Sequence, residues 1–323
     1  MKTSWICFCF GCYWLTGVAP CLGADTGILT FLDGNARLLR GSTWYKPVEG
    51  ARVQQGDIID AADGAQAQIE LANGANLNLV GPAALYAVSL PSREGKPSAP
   101  ANEFFLPRGW LKFATGPNAR LRIRSALATI DATGAVAVLR GGDATAVFVE
   151  SGSAKLTEPG KASEASARTL ASGDFATRTA DKQFASAGRA PQPFVAALPR
   201  HFMDNLYPRA AKFKTARADL VAEREVTYAE AEPWLASPYR AAFIKRFQPR
   251  LADAGFRAAV SANAQTYPEW SGVAAPRVEL EKEKDKEKEK EKEKTAKVEQ
   301  KAEKPTAEPE GFFQRLFGGQ KKK

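Results

Sequence analysis

The chain has 323 residues, 44% of them apolar and 25% charged, with 45 Lys and Arg against 36 Asp and Glu. That length holds one or two domains with a full core. One histidine (His201) and four cysteines confined to the first 21 residues argue against cysteine–histidine metal centres, structural disulfides and multi-histidine active sites. The excess of nine positive charges is dispersed, unlike the clustered charge of nucleic-acid binders.

In chain order, Lys2 precedes an uncharged run that ends at Asp25, with its apolar stretch at Trp5 to Leu15 and small residues at Gly17, Gly23 and Ala24. A basic start, an apolar middle and small residues before a polar start read as a signal peptide over residues 1–24, which directs the chain to the periplasm or outside the cell. Three fates fit the run: cleavage after Ala24, retention as an uncleaved anchor of ~20 residues, and lipidation at Cys21. Cleavage leaves a mature chain without cysteine.

From Gly27 to about Thr179 short apolar runs alternate with glycine turns. Ala67, Ile69 and Leu71 alternate with Gln66, Gln68 and Glu70; Asn73-Gly74 follows, then Ala75, Leu77 and Leu79 alternate with Asn76 and Asn78. Alternation on both sides of Asn-Gly predicts a hairpin. Asp33-Gly34 suggests a second one, between Ile28–Leu32 and Ala36–Leu39. Further runs lie at Leu111–Ala114, Leu121–Ser125, Ala135–Leu139, Ala144–Glu150, Ala154–Thr157 and Phe175–Thr177. The pattern predicts a mainly β domain over 25–180, as a sandwich, barrel or compact solenoid. Ser89 to Glu103, with three prolines, reads as an inserted loop, and 181–199, with Pro191, Pro193 and Pro199, as a linker.

The period then changes, and a small helical domain is expected over 200–272. Thr227 and Glu230 have capping-box spacing, with Pro233 keeping that helix short. Ser237-Pro238 marks another helix start, with Tyr239, Phe243 and Phe247 on one face. Asp253 caps a third helix, in which Phe256, Ala259 and Val260 share a face. A helix through Ala210–Val221 would turn Phe213, Ala216 and Leu220 inward. Beyond, 273–323 is a charged tail expected to be disordered. Glu281 to Lys294 alternates acid and base with no apolar seam, so this coiled-coil-like composition builds no coiled coil. The tail ends in Phe312, Phe313, Leu316 and Phe317, which fit one helical face, ahead of three lysines. About 40 flexible residues reach about 35 Å, enough to carry that peptide to a second partner or to a membrane surface.

Five motifs in order resemble the FecR domain of bacterial envelope proteins. They are Gly50-Ala51-Arg52-Val53 with Gly56-Asp57-Ile58-Ile59, the Ala67–Leu71 and Gly74–Leu79 hairpin, Phe105–Phe113 around Gly109, Val147–Leu156 around Gly152, and the closing step Leu170–Phe175. Together they cover roughly 46–178. Arg140-Gly141-Gly142-Asp143 departs from the family's pattern, and too few residues precede the mature start for the cytoplasmic anti-sigma segment of the family's regulators. What the resemblance implies is an envelope-side β domain that works by contacting another protein, without cofactor or metal.

Several residue groups are candidates for function. Arg120, Arg122 and Arg124 alternate with Leu121 and Ile123 and form a basic row, suited to an acidic partner or an anionic glycan or simply solvated. Gly56-Asp57 and Gly173-Asp174 read either as turns or as a repeated ligand site. His201 with Asp204 has the spacing of a base and its orienter, but no nucleophile motif accompanies the pair. Trp234 and Trp270, if exposed, would suit a cell-wall glycan. The expected function is a non-enzymatic interaction or signalling module with an envelope protein partner; a structural glycan binder is the alternative, and a carboxylate hydrolase ranks last.

Overall fold

The computed structural model describes residues 27–90, 102–159, 167–204, 207–213 and 218–270. The N-terminal segment, most of the Ser89–Glu103 loop, and the tail with Phe312, Phe313, Leu316 and Phe317 lie outside the described residues. The chain divides into two compact units, Met1–Ala252 and Asp253–Lys323.

The first unit is built on strands. The N-terminal half supplies β1 (Gly27–Asp33), β2 (Ala36–Arg40), β3 (Thr43–Lys46), β4 (Arg52–Val53), β5 (Ile58–Ala61), β6 (Gln66–Leu71), β7 (Asn76–Ser89) and β8 (Asn102–Ala114). There follow β9 (Leu121–Arg124), β10 (Thr129–Ala132), β11 (Val136–Gly141), β12 (Ala144–Ser151), β13 (Ser153–Thr157), β14 (Arg168–Ala171), β15 (Phe175–Thr179), β16 (Ala185–Ala187) and, far along the chain, β17 (Val221–Glu225). The fold is mainly β and the hydrogen-bonded network is open, not a closed barrel.

Two long strands organise this network. The first part of β7 pairs β6 from Asn76 to Val80, and its second part pairs β5 from Ala83 to Tyr86. β8 divides likewise, with Asn102–Phe105 beside β9 and Gly109–Ala114 beside β11. Two arms result. One runs β17-β3-β2-β5-β7-β8-β9-β10-β13-β14 and the other β4-β1-β6-β7-β8-β11-β12-β15-β16. Side chains from both arms share one core: Leu38, Ile59, Leu85, Phe104 and Ile123 from the first, Ile69, Leu77, Leu111, Leu139 and Val147 from the second. That is the expected sandwich, with its two layers joined through the bent strands.

The bend depends on Gly109. Its φ is +96°, and a Cβ there would lie 2.2 Å from Ala83 Cβ. Only glycine allows both the left-handed backbone and this close crossing of β7 and β8.

The Asn73-Gly74 hairpin is present, with Glu70 opposite Asn76. Its loop has three residues, not two. The Gly74 amide donates to Leu71 O, the Leu71 amide donates to Ala75 O, and Gly74 alone takes the left-handed position. Asp33-Gly34 is no hairpin. β1 pairs β4 and β6 while β2 pairs β3 and β5, so this turn is a corner that sends the chain from one layer to the other.

The stretch 181–199, read above as a linker, clads the sandwich. It carries β16 and α1 (Gln192–Ala196), and Phe184 and Phe194 are buried. Phe194 and Phe202 pack on Val80, Val138, Phe175 and Trp110, covering the outer face of the second arm. Beside them Gln66, Gln68, Glu70, Asn76 and Asn78, which alternation turns away from the core, are themselves buried. Gln68 donates to Tyr207 O, and Glu70 accepts from the backbone amides of Arg209 and Ala210. The helix expected through Ala210–Val221 is replaced by a 3-10 turn at Ala210–Phe213 and by β17. β17 pairs with β3, and the open edge of that strand overrides local helix propensity.

α2 (Tyr228–Leu235) and α3 (Arg240–Phe247) cover the outer face of the first arm at β7 and the start of β8, while outward residues of β9, β10, β13 and β14 stay partly or fully exposed. Glu230 reaches back to the Thr227 amide at 3.1 Å as the capping spacing predicts, and Pro233 is accommodated inside α2. Trp234, Tyr239 and Phe243 pack on Tyr86, and Tyr239 also on Phe105. These strands are therefore buried on both faces. In the second unit Asp253 caps α4 (Ala254–Ala262), accepting from the Phe256 amide at 2.7 Å, and Phe256 meets Trp270 edge to face.

Candidate functional site

A cavity of about 440 Å³ opens between the outer face of the first arm and the first turns of α2. Its position follows from strand alternation. Arg37, Asp60 and Ala84 point away from the core on β2, β5 and β7, Trp44 does so on β3, and Ala229, Glu230, Pro233 and Trp234 descend from the helix. Pro107 and Arg108, in the bend of β8, complete the rim.

The polar part is a chain of alternating charge. Arg108 Nη2 lies 2.7 Å from Asp60 Oδ1, and Arg37 Nη2 lies 3.0 Å from Asp60 Oδ2. Arg37 Nη1 lies 3.0 Å from Glu230 Oε1, and Arg224 grips the Glu230 carboxylate with both terminal nitrogens, at 2.7 and 2.8 Å. The Arg37 guanidinium also stacks 4.3 Å from the Trp44 ring centroid. The indole N–H of Trp44 is buried and has no hydrogen-bond partner among the described residues.

The hydrogen bonds from Arg224, the amide and hydroxyl of Thr227, and Arg37 hold the Glu230 carboxyl well below the usual carboxylate range, against a burial penalty that acts the other way. A folded-state value below the unfolded one stabilises the fold at neutral pH. The contribution is complete above the unfolded value near 4.5 and is lost as pH falls through the folded value. Acidification from pH 6 toward pH 2 should therefore lower the Tm of the native chain more steeply than that of Glu230→Gln. Thermal melts across that range check this; parallel slopes would show that Glu230 does not carry the acid sensitivity.

The residues singled out in the sequence are dispersed. Arg122 pairs with Asp131 at 2.7 Å and Arg124 with Glu103 at 2.9 Å, so cross-strand carboxylates offset these two members of the row. Arg120 precedes β9 and is exposed, and its carbonyl accepts from the Asn73 side chain. The two Gly-Asp steps are corners of the same design. The Asp57 carboxylate accepts from the Gln54 amide and the Asp174 carboxylate from the Ala171 amide. Asp57 is in addition buried under a bidentate contact from Arg40.

His201 is exposed on a 3-10 turn, while the carbonyls of Phe202 and Asp204 accept from Lys112 Nζ. Trp234 and Trp270 are buried, at 6% and 0% exposure, which removes the exposed indoles on which the glycan reading relied. Arg37, Asp60 and Arg108 are not singled out by sequence reasoning, and Glu230 only as a capping residue. Arg37 and Glu230 stand 193 positions apart, and no local spacing connects them.

Residues 57–155 match the family model described as FecR protein. The match begins at the first Gly-Asp corner, ends in β13, and lies within the span of the five motifs. Two crystal structures of a candidate anti-sigma factor from Parabacteroides distasonis align at 15% and 14% identity, each with a TM-score of 0.35. They cover 43% of this chain and 63% and 62% of their own. The chain thus spans under two thirds of the length of those structures. No curated protein matches it.

Proposed function

We propose that this chain, which carries a FecR domain over residues 57–155, is a non-enzymatic envelope module that acts by holding a protein partner. The observation that carries this reading is the FecR match joined to a recognition cleft whose charged groups are tied to one another rather than arranged around a nucleophile. The cleft lies beside β17, all of whose residues are exposed and which, among the described residues, pairs only with β3. An open strand edge next to a pocket offers a partner both backbone hydrogen bonds and a side-chain slot. Lys2 and the uncharged run before Asp25 support export to the periplasm. The tail, with Phe312, Phe313, Leu316 and Phe317, serves as a second contact, to another envelope protein or to the membrane surface.

Cross-linked capture from envelope fractions, with the full chain and with a chain ended at Pro309, tests both parts. A partner common to the two and a second one confined to the full chain is the expected result. Recovery of the chain from the cytosol, or the same partners in both arms, would overturn export or the role of the tail respectively.

A further inference from the structure

The geometry points to the cleft beneath α2 as a receptor for an acidic, apolar peptide segment of the partner. This deepens the function proposed above and rests on it. Three guanidinium groups and two carboxylates meet there, and Glu223 acts on Arg224 as well. The least engaged of the three guanidinium groups is Arg108. Arg37 engages both terminal nitrogens and Arg224 is bidentate on Glu230, whereas Arg108 makes a single ion pair through one nitrogen and its side chain is 54% exposed. Its guanidinium retains donors of a geometry suited to a carboxylate.

Beside Arg108 lie apolar groups: Ala84, its cross-strand partner, with Pro107, Pro233 and the Trp234 indole form a slot. A volume of about 440 Å³ lies within the usual range for side-chain and small-ligand sites. The Trp44 ring, under the Arg37 guanidinium, also borders the slot and so reports on its occupancy. A carboxylate for Arg108 and an apolar side chain for the slot together describe a peptide segment with an acidic residue next to an apolar one. A neutral glycan supplies neither the charge nor the aliphatic group.

The test uses the full chain with ¹⁵N-labelled tryptophan and follows the indole N–H resonances of Trp44 and Trp234, assigned with Trp44→Phe and Trp234→Phe. The probes are the capped tripeptide Glu-Leu-Pro, its Gln-Leu-Pro counterpart, and chitotriose. We expect Glu-Leu-Pro to shift the Trp44 resonance with at least tenfold higher affinity than Gln-Leu-Pro. Arg108→Ala should remove that preference with an unchanged Tm, and Arg108→Lys should restore part of it. No shift with either peptide at millimolar concentration, a shift indifferent to Arg108→Ala, or a shift with chitotriose alone overturns the assignment. If the cross-linked partner is still captured by Arg108→Ala, the cleft assignment fails while the interaction function stands. If no partner is captured at all, the failure belongs to that function.

Discussion

Arg246→Ala should destabilise the first unit by about 2–4 kcal/mol, measured by urea denaturation, because three carbonyl acceptors lose their charged donor at once. Arg246 rises from α3 into the sheet and donates to the carbonyls of Leu39, Gly41 and Gly56. Its guanidinium also lies 5.6 and 5.7 Å from the Phe243 and Phe247 rings. Burial pulls its pKa down to about 10, opposed by Tyr86 and Asp57, so the group stays charged at neutral pH. It joins the ends of β2 and the Gly-Asp corner to the helical cover in a single residue. Lysine has a point charge and no planar fork, so Arg246→Lys should recover less than half of the loss. A change under about 0.5 kcal/mol for Arg246→Ala would mean that the three bonds are replaced by water without cost.

Gly109→Ala should cost about 3–5 kcal/mol or prevent folding, and Gly74→Ala only about 1–2 kcal/mol. Both glycines have positive φ, +96° and +86°. They differ in space. At Gly109 a Cβ would meet Ala83 Cβ at 2.2 Å, Ala83 Cα at 2.5 Å and Pro82 O at 2.7 Å, while at Gly74 nothing lies within 4 Å. The difference between the two variants thus isolates the steric closeness of β7 and β8 from the backbone preference. Equal destabilisation in paired denaturation curves would show that the crossing yields readily and that the bend does not depend on a missing side chain.

The strands of the FecR region were largely legible because half-buried strands alternate and their turns need glycine. Gln66–Leu79 announces its hairpin by both signals, and the caps at Asp253 and Glu230 follow from short-range spacing. What was not legible comes from contacts distant in sequence. Alternation assigns Gln66, Gln68 and Asn78 to solvent, yet a later segment buries them, and no pattern within the hairpin records that segment. The prolines of 181–199 read as a linker, although the isolated Phe184 and Phe194 were a signal that the stretch packs on something. Arg37, Asp60 and Arg108 look like ordinary surface charges, and Glu230 like a cap alone, until β2, β5, β8 and α2 converge. Arg122 and Arg124 stood out because they are adjacent on one strand, and the same sheet supplies carboxylates that cancel them.

The pairing of β17 with β3 leaves the outer edge of β17 open beside the cleft among the described residues. It also places the completion of β3 late in biosynthesis. The hydroxyl of Thr43 bonds the carboxylate of Glu225, 182 positions further on. A nascent polypeptide halted on the ribosome, or clipped by a protease, before Val221 presents the bare flank of β3 beside Trp44. Two such fragments carry matching unpaired backbones and are poised to join one another.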